Sequence, residues 1–226
     1  MRISIIIPVL NEAPLVVQTL LGLQSLRDVG HEVIVVDGGS KDGSVALSQP
    51  LADRVIFADR GRSRQMNAGA KIAKGDILLF LHADTFLPKS ADQSIIDGLK
   101  GQGKNWGRFD VRLSGKHYFL RIIEHLMNLR SRFTGIVTGD QTIFVRRRFF
   151  EAMGGFPDID LMEDIALSRR LKRHGRPLCL RQQVVTSSRR WREKGILRTI
   201  LKMWRLRLAY ALGADPKRLA RLYESP

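Results

Sequence analysis

Five acidic residues and one arginine triplet are placed where they could do chemistry. Glu12, Asp37 and Asp84 each follow a short apolar run, and Glu163-Asp164 opens a stretch of helical periodicity. In a parallel α/β sheet, ligands gather beyond the carboxyl ends of the strands. Carboxylates at those ends can accept hydrogen bonds from hydroxyl or amide donors, or ligate a hard cation. Arg60, Arg62 and Arg64 precede or open a helix, and guanidinium forks beside helix N-terminal amides suit a diphosphate. A carboxylate at Glu163 or Asp164 could take the proton of a hydroxyl held within about 3 Å. Each feature has a plainer reading as well. Loop acids cap turns and helices, acids in a first helical turn answer the helix dipole, and basic runs are commonly solvated faces.

These residues need a scaffold, and the apolar pattern supplies one. Residues 3–10 form a β-branched run of the kind buried on both faces of a sheet, and Pro14 then opens a helix with Leu15, Val16, Leu20, Leu23 and Leu26 in helical spacing. Residues 33–36 give a second strand that ends at Asp37 and the turn-rich stretch Gly38 to Gly43. A third strand is expected at 55–58, a helix at 62–73 ended by Gly75, and a fourth strand at 77–81 running into His82-Ala83-Asp84. Alternating strands and helices argue for a mainly parallel, doubly wound sheet with helices on both faces. The second half changes character. Phe109, Val111 and Leu113 alternate with Arg108, Asp110 and Arg112, as in a half-exposed antiparallel strand, with a further strand at 142–145 and a helix at 165–174 closed by Gly175.

Composition narrows the class. The chain has 226 residues, enough for one sizeable core, and it contains no linker, repeat or low-complexity segment. One domain over residues 1–188 is expected, with residues 189–226 as a basic helical appendage. The formal net charge of +16 implies polyanionic company: nucleic acid, an anionic membrane surface or phosphorylated substrates. The single cysteine, Cys179, fits a reduced, cytoplasmic compartment, and neither a signal peptide nor a run of about 18 apolar residues is visible.

The motifs carry a resemblance. Ile6 to Glu12, Val35 to Ser44 and Met162-Glu163-Asp164 resemble the successive signatures of glycosyltransferase family 2, whose fold is GT-A. The stretches 61–69, 138–141 and 154–157 are similar to a small bacterial branch of that family, linked in part to arsenosugar biosynthesis. The resemblance implies an inverting transfer of sugar from a UDP- or GDP-sugar to a hydroxyl acceptor, a lipid-linked one among the candidates. It implies donor binding by Pro8, Asn11, Glu12, Asp37, Gly39, Arg62, Arg64 and Asn67, with Asp37 on the base or ribose. Asp164 becomes the base, Glu163 its neighbour and second candidate, and Asp140 and Gln141 fall on the acceptor side. Asp84 stands where the family has its metal-binding Asp-x-Asp, but His82 replaces the first acid. An imidazole beside one carboxylate suits Mn²⁺ better than Mg²⁺, and substrate phosphates must supply further ligands. A buried strand-end histidine is the competing reading of His82.

In the last segment, Leu197, Ile200, Leu201, Trp204 and Leu208 recur on one helical face, with Arg198, Lys202, Arg205 and Arg207 largely off it. Arg189, Arg190, Trp191, Arg192 and Lys194 precede them. Such a helix fits an anionic bilayer surface, or packs on its own domain with a solvated basic side. Nucleic acid is disfavoured because no recognition module accompanies the charge. A Rossmann dehydrogenase and a phosphate-loop NTPase are excluded by the absence of their glycine fingerprints after the first strand. Two alternatives stay open: transfer to a polyprenyl phosphate at a membrane surface, and a non-catalytic basic module with a degenerate nucleotide pocket.

Overall fold

The structure, a computed structural model, describes residues 1–189 and 195–224. Arg190, Trp191, Arg192 and Lys194 of the basic run, and the side chain of Leu197, lie outside the described residues. The chain begins with β1 (Ile3–Val9), α1 (Ala13–Leu21), α2 (Gln24–Asp28), β2 (Glu32–Asp37), α3 (Ser44–Ser48) and β3 (Arg54–Phe57). It continues with α4 (Arg62–Ile72), β4 (Ile77–Phe80), β5 (Thr85–Phe86), α5 (Ala91–Gly101), β6 (Trp106–Leu113) and α6 (Tyr118–Thr134). Then follow β7 (Ile143–Arg146), α7 (Arg147–Ala152), α8 (Glu163–Leu171), β8 (Leu178–Thr186), α9 (Ile196–Ala211) and α10 (Pro216–Glu224).

The eight strands form one sheet in the order β3-β2-β1-β4-β7-β6-β8-β5. The first four pair in parallel; β7 is antiparallel to both β4 and β6. Period-two alternation divides the central strands between two cores. Ile3, Ile5, Ile7 and Val9 face one side with Val33, Val35 and Leu79, under α1 and α5. Ile6, Ile34, Val36 and Leu78 face the other, against Met66 and Ala70 of α4 and Leu167 and Leu171 of α8. This is the doubly wound α/β arrangement of the GT-A fold. The chain runs outward from β1 through β2 to β3, then returns to β4 on the other flank of β1. Such a reversal opens a crevice at the carboxyl ends of β1 and β4, which sets where a ligand can sit.

Three details depart from the sequence expectations. Gly75 does not end a helix, since α4 is capped at Ala73. A Cβ on Gly75 would lie 2.6 Å from the Ser4 backbone nitrogen, so glycine is required by close approach of chains instead. Strand β6 is mostly buried rather than half exposed, because β8 pairs with it in parallel on the side away from β7. Arg108 within it is wholly buried, tied to Asp110 and donating to the Asn128 carbonyl. Finally, α9 packs by only part of the expected apolar face, Ile200 meeting Leu120 and Ile123 of α6. Leu201, Trp204 and Leu208 point outward, 64%, 72% and 63% exposed, while Leu206 packs against Leu161, Met162, Ile165 and Leu219. No helix among the described residues is long and apolar enough to cross a membrane.

Candidate functional site

The edge is built by the loops after the parallel strands. Asn11, just past β1, adopts a positive φ of 54°, a conformation asparagine tolerates better than most residues. Its Oδ1 accepts from the Lys41 amide, and its own amide donates to Ser40 Oγ. Ser44 Oγ accepts from the Glu12 amide, and Asp42 accepts from the amides of Ala13 and Ser44. Thus the β1 and β2 loops are locked together, and Glu12 is held at their junction. Gln65 of α4 anchors both strand ends from beneath, donating to the carbonyls of Val9 and Val36. Pro8 lies within β1, opposite Val36.

Asp37, 1% exposed, ends β2. Its Oδ2 accepts from the amides of Gly39 and Ser40, and so caps the turn that Gly39 permits with φ 96°. Its Oδ1 is buried without a hydrogen-bond partner. A buried carboxylate oxygen left without a donor is costly, and Asp37 Oδ1 has room to accept a further hydrogen bond.

Asp84 follows β4. Its carbonyl accepts from the Ser187 amide, which brings the end of β8 alongside, and Arg189 Nη2 then lies 3.6 Å from Glu12 Oε2. Burial raises the Glu12 carboxyl above its ordinary range. The Arg189 charge opposes that rise, the nearby Asp84 adds to it, and Arg62 opposes it. Arg62 is exposed at the start of α4, and its charge reaches both Glu12 and Glu163. Arg64 is engaged differently, 2.7 Å from Asp158 and 3.3 Å from Asp160. Asn67 Nδ2 donates to the Phe156 carbonyl while Oδ1 accepts from the Phe156 amide. These two residues therefore fasten the 154–160 loop to α4.

The antiparallel register of β7 with β4, Phe80 opposite Ile143, brings residues 138–142 to the same edge. There Asp164 Oδ2 accepts from the Gly139 amide at 2.8 Å, and Oδ1 from the Ile165 amide at 2.6 Å. Two accepted bonds fix the carboxylate and leave lone pairs for a third partner. Met162, with a positive φ of 71°, turns the chain abruptly into α8 just before this pair of acids. Thr142 is held at φ 54° on the opposite side. Left-handed backbone at such residues is unusual and stores local strain, a common feature of functional sites. Glu163 is 5% exposed; its pKa is pushed up to about 7, first by burial and then by the Asp164 charge, against the pull of Arg62 and His82.

His82 and Asp84 do not assemble a metal site by themselves. His82 Nδ1 faces Asp140 Oδ1 at 3.5 Å, and a Cβ on Gly139 would meet His82 Nε2 at 2.5 Å. His82 is thus packed against the 139–140 turn. No group of three His, Cys, Asp or Glu able to hold a metal occurs among the described residues. Asp84, with the charge of Glu12 nearby, fits a cation only as one protein carboxylate completed by phosphate oxygens. Gln141 serves the same turn. It is fully buried, donating to Asn128 Oδ1 and Ser131 Oγ, and anchors the turn to α6.

Two arginines that the motifs do not include reach the acidic end. Arg130 of α6 and Arg207 of α9 both feel the charges of Asp164 and Asp140. The sequence marks Arg207 only as part of a basic helix and offers no signal for Arg130, because only the packing of two separate helices brings them here.

Comparison with known proteins agrees with this fold. The profile of Glycosyl transferase family 2 matches residues 4–154. The chain is 26% identical, over 94% of its length, to Probable glycosyltransferase YdaM of Bacillus subtilis, of which it spans 55%. It is 28% identical to the Poly-beta-1,6-N-acetyl-D-glucosamine synthase of Staphylococcus aureus over 45% of this chain and 26% of that one. The chain thus spans about half or less of these relatives' lengths. Among solved structures, the mannosyltransferase PcManGT of Pyrobaculum calidifontis, in complex with GDP-Man and Mn²⁺, superposes with a TM-score of 0.65 at 22% identity. That match covers 98% of this chain and 68% of that one. Staphylococcus aureus TarS 1-349 with UDP-GlcNAc gives 0.67 at 18% identity, covering 84% of this chain and 59% of that one.

Proposed function

The chain belongs to glycosyl transferase family 2, and on that premise we propose that it is an inverting enzyme. In this reading it moves a sugar from a nucleoside diphosphate donor to a hydroxyl acceptor with divalent-metal assistance. The observation that carries the reading is the unequal state of the acids on one sheet edge. Asp37 offers a buried oxygen with no donor, Glu163 is held near neutrality, and Asp164 is fixed by two amides.

Each station then has a task. Asp37 Oδ1 accepts from the nucleobase or ribose of a UDP- or GDP-sugar. Arg62 and the amides opening α4 meet the diphosphate. Asp84 and the donor phosphates would hold Mn²⁺ or Mg²⁺, which neutralises charge on the departing nucleotide. Asp164 accepts the acceptor's hydroxyl proton as its oxygen attacks the anomeric carbon from the face opposite the nucleotide. One displacement of this kind inverts the configuration. Burial and the Asp164 charge make Glu163 hold its proton more firmly than an ordinary carboxyl, which in this reading leaves Asp164 as the base.

The cited neighbours bind GDP-Man and UDP-GlcNAc, so both nucleotides belong in the test. The arsenosugar-linked branch rests on the 61–69, 138–141 and 154–157 motifs alone. Cys179 suits a reduced compartment, and we place the enzyme on the cytoplasmic side with α9 presented to an anionic membrane surface. Sedimentation with anionic liposomes at low salt and release at high salt checks that placement; equal recovery in the supernatant with and without liposomes contradicts it. For the chemistry, Asp164→Asn should lower transfer about 10²- to 10⁴-fold and leave nucleotide affinity unchanged. Transfer by Asp164→Asn at the wild-type rate would remove the base from the scheme.

A further inference from the structure

We propose that Arg130 and Arg207 form a seat for a phosphate group carried by the acceptor, on the side of Asp164 away from the donor. The proposal rests on the reading of Asp164 as the acceptor-side base.

The two side chains are delivered by packing that is independent of any ligand. Gln141 donates to Asn128 and Ser131 of α6, so the residues flanking Arg130 are bound to the turn that carries Gly139 and Asp140. Leu206 of α9 packs on Met162 and Ile165, which bracket Glu163 and Asp164, and this puts its neighbour Arg207 beside them. Ile196 and Ile200 of α9 meet Leu120 and Ile123 of α6, so the helices lie side by side.

Each guanidinium keeps unsatisfied N–H groups there. Nε and Nη2 of Arg130 and Nε of Arg207 are buried without a hydrogen-bond partner. Burial lowers the pKa of both groups, that of Arg130 to about 10, and for Arg130 the charge of Arg207 is the next cause. Asp164, fixed by the Gly139 and Ile165 amides, and Asp140 act on both arginines through their charge, yet these N–H groups hold no hydrogen bond to either. Two like charges with buried, unpartnered N–H groups destabilise a fold unless an anion joins them. Planar arginine forks match the tetrahedral oxygens of a phosphate.

The outer faces of the same helices indicate what carries such a phosphate. Phe119, Leu126 and Phe133 of α6 are 54%, 57% and 72% exposed, and Trp204 of α9 is 72% exposed. α9 carries Arg198, Lys202, Arg205 and Arg207 and no acid. An apolar, basic exterior around an inward pair of arginines suits a phosphate with an apolar tail. A soluble sugar phosphate would present the same group without the tail.

The test uses the full chain saturated with UDP and Mn²⁺, so that the donor side is filled. Farnesyl phosphate below its micelle concentration, glucose 6-phosphate and inorganic phosphate are each titrated by calorimetry. At least one phosphate should bind saturably. Tighter binding of farnesyl phosphate by tenfold or more identifies a lipid source, and equal or reversed affinities identify a soluble one; both support the seat. Arg130→Gln and Arg207→Gln should each weaken that binding tenfold or more. Their melting temperatures should hold or rise by about 2–4 °C, as expected on removing a buried unpartnered charge. Arg130→Lys, which keeps charge without the fork, should fall between. Absence of phosphate binding while UDP binds overturns the seat and spares the donor reading. Wild-type phosphate affinity in both Gln variants, or a clear fall in their melting temperature, overturns it too. Failure of UDP to bind counts against the donor reading, and the phosphate titrations without UDP then decide the seat by the same criteria.

Discussion

Replacing Glu163 with Gln isolates the strain stored next to the proposed base. The carboxyl is 5% exposed and its pKa is pushed up to about 7 from an ordinary 4.5, by burial first and then by Asp164. Below the lower value the side chain is protonated whether the chain is folded or not. As pH rises between the two values, the unfolded chain releases this proton while the folded one retains it, so stability falls across that window. Above about pH 7 the penalty is complete, roughly 3 kcal/mol at 1.36 kcal/mol per unit. Gln keeps the shape and cannot ionise. Glu163→Gln should therefore raise the melting temperature at pH 8 by up to roughly 6–12 °C, at about 2–4 °C per kcal/mol for a chain of this size. At pH 4 the two proteins should melt together. Thermal unfolding at both pH values, followed by circular dichroism, measures the difference. A fall in melting temperature at pH 8, or the same shift at pH 4 and pH 8, would refute the reasoning.

Other consequences are simpler. Gly69→Ala places a Cβ 2.5 Å from Ile6 Cγ2 and 3.0 Å from Val36 Cγ2, and should cost about 1–3 kcal/mol as α4 is forced off the sheet; urea unfolding checks this. Asn128 donates to the Val111 carbonyl and accepts from its amide, so Asn128→Ala should lose about 2–4 kcal/mol by orphaning two buried backbone groups, measured the same way. Asp84→Asn should abolish any gain in UDP or GDP affinity on adding Mn²⁺ and keep the metal-free affinity, as calorimetry with and without the ion would show.

The first half of the fold is legible in the sequence because its physics is local. The runs ending at Val9, Asp37 and Phe80 are apolar on both faces, and the loops that follow hold the acids. Helix α6 is hidden for the opposite reason. Its inward side mixes Leu120 and Ile123 with polar groups: Glu124 accepts from the Leu113 amide, and Asn128 bonds Val111. Its apolar residues Phe119, Leu126 and Phe133 meet solvent. Amphipathic reading assigns such a helix the wrong face, or misses it, because its inward polar groups are satisfied only by a strand far along the chain. In α9, likewise, Leu206 is buried while Trp204 is exposed. Motif spacing reveals Asp37, Asp84 and Asp164. The orientation of His82, the burial of Gln141, the full engagement of Asn67 and the presence of Arg130 and Arg207 depend on tertiary packing that spacing does not encode.

The account stands or falls on whether the carboxyl edge of β1, β2 and β4 holds a nucleoside diphosphate through Asp37. Calorimetric titration of UDP and GDP in Mn²⁺ into the wild-type chain and into Asp37→Ala measures this directly. One nucleotide should bind at a single site in the wild type, and Asp37→Ala should weaken it by roughly 10- to 150-fold, the worth of a hydrogen bond to a charged acceptor of about 1.5–3 kcal/mol. Binding of neither nucleotide to the wild type, or equal affinity in Asp37→Ala, would contradict it.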